Sequence, residues 1–460
     1  MLIKRQEINE LDSWSTRPDR KPLLIRGARQ VGKSTLVAQW AAASPLKLLA
    51  LNFERNPELR QAFTAHDPAQ IVTALQLLTN HPVRAGETLL FLDEIQAAPE
   101  AIVALRYFYE EMPLLHVIGA GSLLEFTLAD TNFSMPVGRV QYMNIGALQF
   151  ENFLVAMGET ALAAWLREVP LTELVKGPPI AAIHDKYLAL LRQYWVVGGL
   201  PEVVANFAAG HDFSEVTRLQ ENIVATYRDD FGKYSHGTLR TRVQLVFDRL
   251  PALVGRKFKY ANVSHDHRAA ELATALQQLC MARIAYKVRH TAANGVPLGA
   301  EADERQFKTL YMDVGLMCNS LGLNLLDLQQ GDLSLVNDGA VAEQFIGQHL
   351  LYSGASYETP ALYYWMREAR TASAEVDYVI AQGQQILPVE IKAGKSGTLK
   401  SLHLFLKEKQ QRLGLRFNAD LPSVLRDAPL PGEPTRRYDL LSLPLYMVGQ
   451  THRLLRDYLS

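Results

Sequence analysis

Gly27-Ala28-Arg29-Gln30-Val31-Gly32-Lys33-Ser34 places two glycines, a lysine and a hydroxyl in the spacing GxxxxGK[ST]. A loop of this composition can hold a chain of phosphates. The glycines let successive backbone N–H groups turn toward phosphate oxygens at the amino terminus of the following helix. Gly27, Gln30, Val31, Gly32, Lys33, Ser34 and Thr35 are expected to line such a ligand. Lys33 would reach the β- and γ-phosphates of ATP, and the Ser34 hydroxyl would complete the shell of a Mg2+ ion. Asp93-Glu94 is a second chemical pair, at the end of the apolar run Thr88-Leu89-Leu90-Phe91-Leu92. Asp93 suits the metal shell, and Glu94 suits the polarisation of an attacking water. Ser122 ends another apolar run and fits either a side chain beside the γ-phosphate or a plain turn serine. Arg139 fits either a surface arginine or a finger reaching the nucleotide of a neighbouring subunit, which where present is worth about 10^3–10^5 in rate.

A separate set of acids lies near the carboxyl terminus. Glu390 and Lys392 fall on one face of a strand because side chains alternate. Asp377 on an adjacent strand and Glu343 on a packing helix can converge with them. Glu343, Asp377 and Glu390 would then hold a second Mg2+, with Lys392 orienting or activating water for phosphodiester hydrolysis. A mutually paired salt-bridge set is the competing reading, because buried charges without a metal or partner cost several kcal/mol each.

These residues need particular elements behind them. Leu23–Ile25, residues 48–53, 87–92, 114–120 and 140–145 read as buried parallel strands, and residues 34–43 as the helix after the phosphate loop. From about 155 to 240, helical patterns alternate with GP, PP and GG breakers. The helix 268–281 carries Leu272, Ala275, Leu276 and Leu279 at helical spacing. It precedes two candidate strands, 284–288 and 307–312, which together make a winged-helix arrangement. Arg256, Lys257, Lys259, His265, His267 and Arg268 give that region local positive charge, suited to DNA or to a protein contact.

Bulk composition constrains the rest. The 460 residues are 48% hydrophobic and 21% charged, as in a folded multidomain protein. Lys plus Arg number 47 and Asp plus Glu 48, a net charge of −1, so any nucleic-acid surface must be local. Two cysteines exclude a disulfide framework and point to a reducing compartment. The amino terminus carries alternating charges, unlike a signal peptide, and no apolar run is long enough to span a membrane. A soluble, cytoplasmic protein is expected.

The phosphate loop, the FLDE acids, Ser122 and Arg139 together resemble AAA-type ATPases of the additional-strand, catalytic-glutamate class, although Asn or Thr is commoner where Ser122 stands. Trp195-Val196-Val197-Gly198-Gly199-Leu200-Pro201-Glu202 is similar to the GxP element of the lid in archaeal-type and signalling ATPases. That similarity places Pro201 near the adenine; a helix-breaking turn explains the same residues. The D…ExK set is similar to the PD-(D/E)xK nuclease fold, with Glu343 as its helical acid. GGLPEVV, LYMDVGL and EVDYVI…LPVEIKAG extend the resemblance to bacterial and archaeal AAA-type ATPases fused to a PD-(D/E)xK-like domain of unknown function.

The resemblance implies an α/β multidomain chain. It would comprise a parallel-sheet P-loop ATPase core over 1–155, a helical lid over 156–240, a winged-helix-like domain over 241–325 and a restriction-endonuclease-like α/β domain over 335–460. The leading functional expectation is an oligomeric ATPase driving a DNA transaction in repair, junction processing or defence. The alternative is a regulatory or signalling ATPase whose carboxyl-terminal modules bind protein and whose nuclease-like site is inactive. A third reading is a metal-dependent nuclease switched by its ATPase.

Overall fold

The computed structural model describes residues 3, 5–65, 67–128, 137–177, 180–323, 338–367, 373–394 and 398–460. The chain forms two compact units. The first comprises 1–147 with 281–284 and 354–359, and the second comprises 148–280, 285–353 and 360–460.

The first unit is built on five short strands: β1 (Leu23–Arg26), β2 (Lys47–Asn52), β3 (Thr88–Asp93), β4 (His116–Gly121) and β5 (Gln141–Asn144). All pair in parallel, in the order β2-β3-β4-β1-β5. The strand β4 therefore lies between the strand preceding the phosphate loop and the strand ending in Asp93. β3 and β4 are buried almost throughout, as expected of parallel strands covered on both faces. Helices α1 (Glu7–Thr16), α2 (Lys33–Ala43), α3 (Pro68–Thr79) and α4 (Pro99–Glu111) surround the sheet. The start of α3 is written locally: Asp67 accepts hydrogen bonds from the Ala69 and Gln70 N–H groups, and Pro68 occupies the first turn. Phe53, Phe63, Ile71, Leu75, Leu105 and Phe108 pack in one core with Leu90 and Leu92 of β3.

The second unit contains an eight-stranded mixed sheet. Its strands are β6 (Ala285–Thr291), β7 (Ala302–Tyr311), β8 (Leu362–Arg367), β9 (Ala374–Gln382), β10 (Gln385–Ile391), β11 (Leu413–Asn418), β12 (Ser423–Leu430) and β13 (Glu433–Pro444), in the order β12-β13-β11-β10-β9-β8-β6-β7. The winged-helix-like arrangement expected over 241–325 rests on the helix Ala269–Met281 and on β6 and β7. Its two strands do pair antiparallel, but β6 also pairs in parallel with β8, through Val288–Leu362, Arg289–Tyr363 and His290–Tyr364. They form one margin of the carboxyl-terminal sheet. Apart from 281–284 and 354–359, the described residues expected to form the lid, winged-helix-like and nuclease-like domains fall in the second unit.

Two buried polar contacts organise this unit's helices. The Asp313 carboxylate accepts the N–H of Gly199 at 2.7 Å and of Leu316 at 3.0 Å. Gly198 has φ 75°, and a Cβ there would fall on the Asp313 carboxylate, so this glycine is required twice over. His349, on the helix Asp338–Leu351, receives the Phe150 N–H on Nε2 at 3.0 Å and faces the Phe345 carbonyl with Nδ1 at 2.8 Å. The ring is thereby fixed as the Nδ1–H tautomer. No helix among the described residues is long and apolar enough to cross a membrane.

Candidate nucleotide-binding site

The loop 27–32 joins β1 to α2 and can close only as glycine permits. A Cβ at Gly27 would lie 2.5 Å from the Ile145 carbonyl oxygen, and Gly32 (φ 88°) and Gln30 (φ 63°) both adopt left-handed backbone. Arg5, buried ahead of α1, donates to the Val31 carbonyl and, at 3.1 Å, to the Gly146 carbonyl. The loop is therefore tied down from a segment outside the motif.

Lys33 is buried, and its ammonium donates to the Gly27 carbonyl at 3.0 Å and the Ala28 carbonyl at 2.8 Å. Among the described residues no carboxylate lies within ion-pair distance of it. Burial pushes its pKa down to about 8 against the opposing fields of Glu94 and Asp93. A buried ammonium whose hydrogen-bond partners are neutral carbonyls suits an anionic ligand. Together with a cradle that a Cβ would fill, it makes the loop fit a polyphosphate.

Ser34 Oγ donates to Asp93 Oδ1 at 2.9 Å, and Asn52 Nδ2 donates to Asp93 Oδ2 at 3.1 Å. The second contact follows from register, since Asn52 of β2 stands directly opposite Asp93 of β3. Ser34 and Asp93 thus present adjoining oxygens that fit the shell of a Mg2+ ion. Glu94 turns the chain at φ 52°, and Gln96 Nε2 donates to its Oε2 at 2.6 Å. Gly121, at the end of β4, packs so tightly on Gln96 that a Cβ would overlap its amide. Ser122 follows, buried.

Other charges gather within this unit. Arg283 donates to Asn144 Oδ1 at 2.8 Å and Glu125 Oε1 at 2.9 Å, and the Arg26 guanidinium lies 3.7 Å from the Tyr142 ring centre. Arg139 lies just before β5. Its Nε donates to Glu110 Oε1 at 2.8 Å, in a pair open to solvent. Pro201 belongs to the second unit, where it opens the helix Pro201–Gly210 beside the Gly199–Asp313 contact.

The carboxyl-terminal acids come together around a residue absent from the sequence-based set. Lys308 of β7 is buried, with its ammonium 2.8 Å from Glu343 Oε1 and 2.5 Å from Glu375 Oε1. Glu390 Oε1 accepts from Lys392 at 2.7 Å, and Asp377 Oδ2 accepts the Ile391 N–H at 2.8 Å. Burial pushes Glu343 and Glu390 up to about 7, and raises Asp377. Among the described residues no three carboxylate, thiol or imidazole groups are placed as metal ligands. Glu343, Asp377 and Glu390, expected to hold a second Mg2+, are engaged by Lys308, Lys392 and backbone in this structure.

Residues 19–154 match the AAA domain family. Residues 188–327 match a domain of unknown function (DUF8612), and residues 338–439 match another (DUF4143). Among curated proteins no match is found. Among solved structures, a Walker-type ATPase of Pyrococcus abyssi is similar at 15% identity and TM-score 0.44, covering 69% of this chain and 96% of that one. The ORC2 protein of Aeropyrum pernix in its ADP form is similar at 13% identity and TM-score 0.29, covering 62% and 87%. At these scores no residue role is carried across.

Proposed function

We propose that the first unit binds ATP with Mg2+ and hydrolyses it. The observation that carries this reading is the buried Lys33 ammonium, held by two backbone carbonyls at the amino terminus of α2. A phosphate oxygen would supply the missing negative charge. Ser34 and Asp93 would hold Mg2+, which when bound neutralises charge developing on the phosphates. Asn52 keeps the Asp93 carboxylate turned toward Ser34. Glu94, once its oxygen is released by Gln96, would orient the attacking water and accept its proton. Ser122 would report on the γ-phosphate from the end of β4. Arg139 would serve a neighbouring subunit in an oligomer, and its exposed partner Glu110 is a weak restraint on that movement.

For the use of this hydrolysis, a regulatory switch read by a partner is favoured over a DNA motor. One observation favours it: β6 is hydrogen-bonded to β8, so the hairpin read as a wing, suited to DNA or to a protein contact, is continuous with the carboxyl-terminal sheet and less free to enter a DNA groove. The test is ATP turnover with and without single-stranded, duplex and branched DNA, with Lys33→Ala as the blank. The switch reading expects turnover indifferent to every DNA form. Stimulation by any one form, absent from the blank, establishes the DNA-driven alternative.

A further inference from the structure

We propose that the acid cluster of the carboxyl-terminal sheet is a metal-free charge cluster, in which the Lys308 ammonium occupies the place a divalent cation would need. The inference is independent of the ATPase reading, since every residue it uses lies in the second unit.

Four elements deliver the cluster. Glu343 comes from the helix Asp338–Leu351, Glu375 and Asp377 from β9, Glu390 from β10 and Lys308 from β7. A hard divalent cation takes six or so oxygens and needs carboxylates turned toward one point. Here that convergence is made on nitrogen: Lys308 draws Glu343 and Glu375 to 2.8 and 2.5 Å. The ammonium also lies 5.4 Å from the Tyr364 ring centre, which favours a cation over its face. Asp377 spends one oxygen on the Ile391 N–H, and Glu390 spends one on Lys392. The other Glu390 oxygen, Oε2, is buried without a hydrogen-bond partner. On the far side of Glu343, a Cβ on Gly255 would approach its Oε2 to 2.9 Å, so little space is left there for an ion and its waters.

A cation entering this site must displace a buried lysine paired with two carboxylates, and must bind beside its positive charge if it does not. The D…ExK pattern therefore survives as a salt-bridge core linking β7, β9 and the Glu343 helix. No water is activated there for phosphodiester attack.

The experiment uses the full-length chain carrying Ser34→Ala, without nucleotide, so that the first unit offers no competing metal shell. Mn2+ binding is followed by electron paramagnetic resonance, and cleavage of supercoiled and branched DNA is assayed alongside. With Lys308 present, no Mn2+ binding sensitive to Asp377→Asn is expected, and no cleavage. Adding Lys308→Met should create Mn2+ binding that Asp377→Asn abolishes, because the acids have lost their counter-ion. Mn2+ binding or DNA cleavage that requires Asp377 while Lys308 is intact would overturn the proposal. So would a folded Lys308→Met protein that binds no Mn2+. If that variant fails to fold, the pair with and without Asp377→Asn on the Lys308 background decides.

Discussion

At the scale of single residues, the site is defined by which groups hold Lys33, Asp93 and Glu94. With Lys33 pushed down to about 8, the ammonium is present at neutral pH and is lost above it. A bound phosphate favours the charged form, so ATP binding takes up a proton once pH exceeds about 8. The Kd for ATP is therefore expected to hold steady below that point and to rise by up to about tenfold per pH unit above it, as read by titration calorimetry. Glu94→Gln would remove the proposed proton acceptor while leaving the phosphate loop intact. It should keep ATP affinity while lowering kcat by about 10^2–10^4, measured in steady-state turnover. The types and spacing of these residues were legible because one short stretch of chain encodes the whole loop. Asn52, Gln96, Arg5 and Lys308 were not singled out. Their importance depends on a strand register or on a partner distant in sequence, and no local pattern marks it. The one available signal was positional: Asn52 ends a strand, as Asp93 does, and Gln96 follows Glu94 by two residues.

At the scale of elements, two buried contacts can be tested in isolation. Asp313→Ala would leave the Gly199 and Leu316 N–H groups buried without an acceptor, and is expected to cost about 1–3 kcal/mol per orphaned group in urea denaturation. The GGLP segment is thus explained as a turn stapled by Asp313, a pairing that sequence reading left apart as two separate motifs. His349 gives a pH dependence of known sign. Burial pushes its folded pKa down to about 4, below the usual 6.5, so the unfolded chain takes up the proton first as pH falls. Its contribution is complete above about pH 6.5 and drains away toward pH 4, with a loss of about 2 kcal/mol between pH 7 and pH 5. His349→Gln should flatten that part of the stability profile relative to the parent. Strands of the first unit were legible within about two residues, because buried runs and breakers bound them, whereas β7 begins at 302 and not at the expected 307, and β11, β12 and β13 were not read as strands. The pairing of β6 with β8 was not legible, because strand composition does not say which sheet a strand joins.

At the scale of the whole molecule, the division of labour follows the two units. One unit carries a parallel sheet with a phosphate loop, and the other a mixed sheet whose acids are neutralised by its own lysines. A trans role for Arg139 predicts that specific ATPase activity rises with protein concentration and that Arg139→Ala loses this rise while still binding ATP. Turnover independent of concentration would place Arg139 among ordinary surface residues. The central claim is that Lys33, Ser34, Asp93 and Glu94 form a working Mg2+-ATPase. The most direct measurement compares ATP binding and hydrolysis in the parent, Lys33→Ala and Glu94→Gln proteins with Mg2+ present. The account predicts binding and turnover in the parent, loss of both in Lys33→Ala, and binding without comparable turnover in Glu94→Gln. A parent protein that fails to bind ATP, or a Glu94→Gln protein that turns over at the parent rate, would contradict it.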